Sequence, residues 1–256
     1  MHAWDRNGIP PSTPRRAREF EQIIRPKMWP ETPSELVRVQ RELAGLRPTP
    51  WRPSGPRPLV AGCFVCFARG ASAPADSPER GWAGAALMRA DRHLAGTAVV
   101  RGEAGAPYRP GLLALREGRL LDAAVRALPE WPEVVIANAT GRDHPRAAGL
   151  ALHLGAVLDL PSIGVTDRPL LASGPDPGPQ RGARSPLLLD GTGVALLVRT
   201  RAGARPLVVH SGWRTDLGTA ASVALAAIRR ARTPEPLRRA RREARRARSA
   251  EEGALR

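Results

Sequence analysis

Val134-Val135-Ile136-Ala137-Asn138-Ala139-Thr140-Gly141-Arg142-Asp143-His144-Pro145-Arg146-Ala147-Ala148-Gly149 is the stretch from which the fold is read. Its apolar opening predicts a buried strand over 133–138, cut short by small and polar turn residues. Asp143 is a natural helix N-cap and Pro145 a natural first helical residue, so a helix over 145–157 should follow. A second apolar run at 161–166 then completes a strand–helix–strand unit, the pattern of a parallel strand pair.

Working outward, 58–67, 82–91 and 94–102 read as three strands of an antiparallel meander. Ser34 to Leu43 forms a short helix with Ser34 as N-cap, and the apolar spacing of Arg119 to Leu128 predicts another after Gly118. Gly174 to Pro186 is rich in proline and glycine and reads as a loop. Strands near 193–200 and 206–210 lead into a helix from about 215 to 231. Its N-cap candidate is Asp216. No internal repeat is visible. A meander followed by an alternating half is the order of a ribonuclease H-like α/β fold, a mixed sheet flanked by helices.

Six segments carry a resemblance to the endonuclease V family, and the resemblance covers roughly Leu36 to Ile228. Val134 to Gly149 is similar to that family's strand, turn and His-Pro-Arg. Leu59 to Phe67 resembles its first strand, and Pro107-Tyr108-Arg109-Pro110-Gly111 resembles the loop whose tyrosine wedges into a nucleic-acid strand. Leu112 to Glu117 resembles a segment ending in a metal-binding glutamate. Leu160 to Asp167 resembles a strand that ends Gly-Val-Ala-Lys, and Ser211-Gly212-Trp213-Arg214 stands where the family carries Gly-His-Arg. The resemblance implies a nucleic-acid partner, DNA or RNA, and phosphodiester cleavage near inosine with Mg²⁺ or Mn²⁺.

At the matching positions this chain departs from the pattern. The two metal-binding aspartates are Phe64 and Asn138, the lysine is Asp167 and the late histidine is Trp213. Glu117, His144 and Tyr108 are retained. A hard divalent ion wants several anionic oxygens, and Phe64 offers none, so loss or reduction of cleavage is expected. An alternative keeps an active nuclease on a displaced metal site of Glu117, Asn138 and Asp167, with His144 placing the water. Under either reading Tyr108, Asn138, Gly141, Gly149, Trp213 and Arg214 are candidate substrate-binding residues. The two glycines would leave room for a flipped base, and Trp213 would offer it a stacking face. A third reading is an enzyme of small-molecule metabolism that reuses the cleft through Asp143, His144 and His210.

Composition adds bounds. At 256 residues and 42% hydrophobic, the chain can bury one sizeable core. The formal charge of +16 suits a nucleic-acid partner. Residues 229–256 hold eleven arginines and four glutamates, so much of that charge is local. The expected organisation is a proline-rich arm over 1–34, a domain over 35–232 and an arginine-rich tail over 233–256. A helix from Leu237 to Ala247 in that tail would have almost no apolar face and should be solvated. No apolar run reaches membrane-spanning length and no signal-peptide core is present, which points to a cytoplasmic protein. Cys63 and Cys66 lie three apart on a strand, so they should face opposite sides and pack rather than chelate. His153 reads as structural. A triad of His210, Ser211 and Asp216 lacks a nucleophile-elbow signature.

Overall fold

The computed structural model describes residues 29–55, 58–69, 79–89 and 93–254. Chain order is helix α1 (Pro33–Gly45), strands β1 (Leu59–Phe67), β2 (Arg80–Arg89) and β3 (Leu94–Glu103), then helix α2 (Leu113–Arg126). There follow β4 (Val134–Ala137), α3 (Leu150–Leu158), β5 (Ser162–Thr166), β6 (Arg184–Leu189), β7 (Thr192–Val198) and β8 (Leu207–Ser211), and last α4 (Leu217–Ala226) and α5 (Glu235–Ala254). The strands form one sheet in the order β3-β2-β1-β4-β5-β8-β7-β6. β1, β4 and β5 run parallel, and every other pair is antiparallel. This is the mixed sheet read from the sequence: a meander first, a parallel core in the middle, an antiparallel edge last.

Strand periodicity assigns the residues of β1 to two layers. Leu59, Ala61, Cys63 and Val65 pack under α2 and α3, whereas Val60 meets α4 and α5. Cys63 and Cys66 accordingly leave opposite faces, both free and buried. β2 is buried from Gly81 to Met88 because both of its faces are covered. β3 alternates along its length, as an edge strand with one wet face should.

The main departure from the sequence reading lies at the C-terminus. The arginine-rich segment is not a solvated appendage: α5 packs on β1 and β2, burying Pro236, Leu237, Ala240 and Ala244. Its apolar stripe is narrow and half alanine, so sequence spacing hides it. The docking depends on two glycines. A Cβ on Gly62 would collide with the backbone of Pro236 and Leu237, and one on Gly84 with the carbonyl of Ala240. Glycine lets backbone meet backbone, and alanine suffices on the helix side.

Smaller differences have local causes. The N-cap of α1 is Thr32, whose side chain accepts from Glu35 N while the Glu35 carboxylate reaches back, a capping box that outcompetes Ser34. α2 begins at Leu113 and runs through Gly118, because the Trp29 indole lies where a Cβ would stand. α3 starts only at Leu150, since 141–149 is a compact turn with Ala147 at φ 50°. Asp143 therefore caps no helix. The expected loop 174–186 gives its last residues to β6, which pairs with β7 despite Pro186 because β6 is the sheet's other edge. Asp216 does cap α4, accepting from Thr219 N at 2.6 Å. Of the proposed arm, 1–28 lies outside the described residues, and Trp29 is buried against α2 and α3.

Gly62→Ala or Gly84→Ala should lower stability by about 2 kcal/mol or more, as overpacking against rigid backbone does. Equilibrium denaturation checks this, and an unchanged midpoint would mean that α5 is not held as described. Truncation at Pro236 should destabilise the fold as well, because it strips Leu237, Ala240 and Ala244 from the sheet.

Candidate functional site

Parallel pairing sets Cys63 beside Ala137, so Phe64 and Asn138 stand next to one another where β1 runs past the end of β4. Phe64 points away from α2, toward α5. The α5 helix crosses above it and delivers two side chains. The Arg241 guanidinium carbon lies 5.0 Å from the centre of the Phe64 ring, and that of Arg245 lies 5.7 Å away. Arg241 Nη2 donates to Asn138 Oδ1 at 3.4 Å. Its Nε is buried and finds no acceptor. Burial, and the like charge of Arg245, pull the Arg241 pKa downward from its ordinary value.

The glutamates of α5 make those two arginines stand out. Arg238 and Arg239 pair with Glu235, Arg242 and Arg246 with Glu243, and Arg248 with Glu252. Among the described residues neither Arg241 nor Arg245 forms an ion pair, although the Asp167 carboxylate acts on Arg241 from further off. Together with Arg238, Arg242, Arg246 and Ser249 they line an open hollow of about 500 Å³.

Glu117 lies on α2, on the Cys63 side of β1. Burial pushes its carboxyl up to about 7, against the pull of Arg116. Burial first, and Glu117 second, push the Cys63 thiol up to about 12. Asp167 follows β5 at the same end of the sheet. Its side chain turns outward and pairs with Arg232 at 2.6 Å. The displaced metal site of Glu117, Asn138 and Asp167 is therefore not assembled, because Arg232 holds the outermost of the three. No group of three or more His, Cys, Asp or Glu suited to a metal occurs among the described residues. A guanidinium already stands at Asn138, and Phe64 carries no donor. The residues present do not fit a divalent cation.

The retained His-Pro-Arg has a different use. His144 is buried, and its Nδ1 accepts from Arg146 N at 3.2 Å. Arg146 reaches across to the Gly111 carbonyl at 2.6 Å and to Gln40 Oε1 at 2.6 Å, and Gln40 donates to the same carbonyl at 3.2 Å. The loop that carries Tyr108 is thereby tied to α1 and to the turn after β4. Tyr108 itself is 65% exposed, the outward aromatic expected of a proline-flanked loop. Gln40 was not singled out by sequence reading, since its role depends on a contact 71 residues away.

Other candidates sit elsewhere. Trp213 N donates to Ser162 Oγ at 2.8 Å, at the start of β5, whereas Asn138 and Asp167 follow the ends of β4 and β5. Five residues of strand at about 3.3 Å each separate the two ends by roughly 16 Å. Trp213 is buried with Leu43, Leu152 and Ala156, and Arg214 turns to Asp159 at 3.8 Å. Neither can reach Phe64. Gly141 and Gly149 do not open a base pocket: a Cβ on the first would strike the Ser211 carbonyl, and on the second Thr140. They let the turn after β4 press against β8 and against itself.

The small-molecule trio is likewise committed to the fold. Asp143 accepts from the backbone N–H groups of Leu170, Leu171 and Ala172 at 2.7, 2.8 and 2.9 Å, anchoring the loop after β5. His210 Nε2 lies 3.0 Å from Thr166 Oγ1. His153, read as structural, stacks on Trp29 with ring centres 4.7 Å apart.

These buried groups set an acid response. Burial pushes His144 and His153 down to about 4, and drives His210 well below the usual imidazole range. The unfolded chain protonates its imidazoles near 6.5 while the fold resists, so stability is lost as pH falls from about 6.5 toward 4. Glu117 acts oppositely, taking up a proton in the fold between about 7 and its unfolded value, which offsets one imidazole. Unfolding near pH 5.5 should therefore take up about two protons from these four groups. His153→Phe should reduce that uptake by about one, as read from denaturation midpoints against pH. A stability flat from pH 7 to 5 would contradict it.

Comparison with known proteins agrees with this architecture. The family model for Endonuclease V matches residues 54–242. The Endonuclease V of Streptomyces avermitilis is 38% identical over 220 residues, covering 84% of this chain and 92% of that one. The crystal structure from the same organism superposes with a TM-score of 0.77 at 37% identity, over 88% of this chain and 96% of that chain. The catalytic domain of human Endonuclease V superposes with a TM-score of 0.74 at 28% identity, over 88% and 99%. With most of its length matched in sequence and in fold, this chain belongs to the endonuclease V family.

Proposed function

We propose that this protein is an endonuclease V-type nucleic-acid-binding protein whose metal-dependent cleavage is lost or much reduced. One observation carries the reading: the positions where the family holds two aspartates are Phe64 and Asn138, and Arg241 is hydrogen-bonded into the space between α5 and Asn138. Mg²⁺ there would meet an aromatic ring, one amide and a fixed positive charge, with the Glu117 carboxyl on the other face of β1, so both the ligand charge and the room are missing. Tyr108 remains exposed on a loop braced by Arg146 and Gln40, and the α5 arginines lie along one surface. Those features suit a strand-binding surface that holds without cutting. Among the described residues no helix is long and apolar enough to cross a membrane. The two free, buried cysteines suit a reducing, cytoplasmic setting.

Inosine-containing DNA and RNA should be bound but not nicked at ordinary enzyme levels with Mg²⁺ or Mn²⁺. Gel analysis of end-labelled strands decides this. Nicking one phosphodiester beyond inosine, abolished by Glu117→Ala, would show an active nuclease instead. Tyr108→Ala should weaken binding while the salt dependence stays the same, since stacking releases no counterions.

Metal binding supplies a second test. The melting temperature of the protein should ignore both metals. Phe64→Asp, Asn138→Asp and Arg241→Ala together restore two carboxylates at the ends of β1 and β4 and remove the competing guanidinium. That variant should be less stable without metal and should gain melting temperature when Mg²⁺ or Mn²⁺ is added, because a ligand of the folded state alone stabilises it. A folded variant indifferent to both ions would refute the placement of this cleft.

A further inference from the structure

We propose that Arg241 and Arg245 form a metal-independent clamp for a nucleic-acid phosphodiester, with guanidinium groups supplying the positive charge for which the rest of the family's cleft is built around a divalent ion. This rests on the nucleic-acid reading above and goes further, by naming the groups that hold the strand and the ion they make unnecessary.

Four observations converge. Arg241 and Arg245 are the two arginines of α5 that form no ion pair among the described residues, although every other arginine of that helix forms one. Both guanidiniums lie over the same ring, that of Phe64, so two like charges are held close together and each lowers the cost of receiving an anion. Arg241 keeps a buried N–H without an acceptor inside the protein, and burial and Arg245 depress its pKa more than the nearby Asp167 carboxylate restores it. The hollow that the two arginines line is open and large enough for a phosphate and its sugar.

The chemistry suits a phosphodiester. A guanidinium presents a planar fork of N–H donors that matches two phosphate oxygens, whereas a divalent ion needs several anionic protein oxygens to stay bound. Phe64 serves as the platform on which both forks lie, since a cation is attracted to an aromatic face and the ring restricts where the guanidinium can go. Asn138 uses Oδ1 to orient Arg241, which leaves its Nδ2 as a further donor at the same place. Phe64, Asn138 and Arg241 thus make one consistent set: a cationic fork on an apolar base stands where the resemblance implies an anionic cage for a cation. No bond is made or broken in this step, and the strand is held intact.

The test is fluorescence anisotropy with a short labelled single-stranded DNA carrying one deoxyinosine, over a range of salt, in EDTA and in Mg²⁺. Wild type should bind equally well in both. Arg241→Gln/Arg245→Gln should weaken binding by about tenfold or more and flatten the slope of log affinity against log salt by about 1.4, the value for two lost contacts to a single strand. Arg241→Lys/Arg245→Lys should keep most of the slope while losing affinity, because the charge stays and the fork does not. Arg238→Gln/Arg242→Gln, which line the same hollow but are paired with Glu235 and Glu243, should change both quantities less. The melting temperature of the first variant should be unchanged or raised, because two unpaired like charges are removed. Binding that requires Mg²⁺, or that is indifferent to the change at Arg241 and Arg245, would overturn the clamp while leaving nucleic-acid binding intact. Failure of wild type to bind any strand in either buffer would overturn the underlying function and the clamp with it.

Discussion

The close approach of α5 to the face of β1 and β2 governs the rest of this molecule. It is possible because Gly62 and Gly84 carry no side chain where the helix backbone passes, and because Ala240 and Ala244 are small on the side that faces them. Interiors are packed closely enough that a single methyl group at either glycine would displace the helix. Everything at the site follows from that contact. The helix comes to rest with one turn over Phe64, so Arg241 and Arg245 are placed above the ring by backbone packing and not by their own charge.

Electrostatics then work within a geometry they did not create. A segment with seven arginines among twenty residues should repel itself, yet Glu235, Glu243 and Glu252 are spaced to neutralise five of them along the helix surface. Exposed pairs of this kind contribute little stability each, and their value here is to leave net positive charge at one place. That place is the end of β1 and β4, where a parallel sheet ordinarily offers its ligand crevice. On the opposite face, burial pushes the Glu117 carboxyl up to about 7, against the pull of Arg116.

The retained His-Pro-Arg has a structural use in this chain. Arg146 ties the Tyr108 loop to Gln40 and to the turn after β4, and Asp143 gathers three backbone N–H groups from the loop after β5. These are buried, satisfied polar contacts, and breaking one partner would strand the other. Such residues persist for the sake of the fold whether or not a strand is ever cut.

Periodicity and turn chemistry were legible along the chain: the three-strand meander, the strand–helix–strand centre, the Asp216 cap and the opposite faces of Cys63 and Cys66. Each depends on spacing within a few residues, which sequence displays directly. The replacement of two family carboxylates by Phe64 and Asn138 was also plain from sequence, because strand register is set by local pattern. Three things were decided only by tertiary structure. Trp213 falls at the far end of β5, since the antiparallel pairing of β8 carries its C-terminal end away from the cleft. Gly141 and Gly149 fill close contacts instead of opening a pocket, because β8 and Thr140 press against them. The arginine-rich helix belongs to the core and supplies the cation of the site, although its sequence looks solvated. Its apolar stripe is only Pro236, Leu237, Ala240 and Ala244, and what makes that enough is a pair of glycines more than 150 residues earlier in the chain, a fit that exists only once both surfaces have been formed.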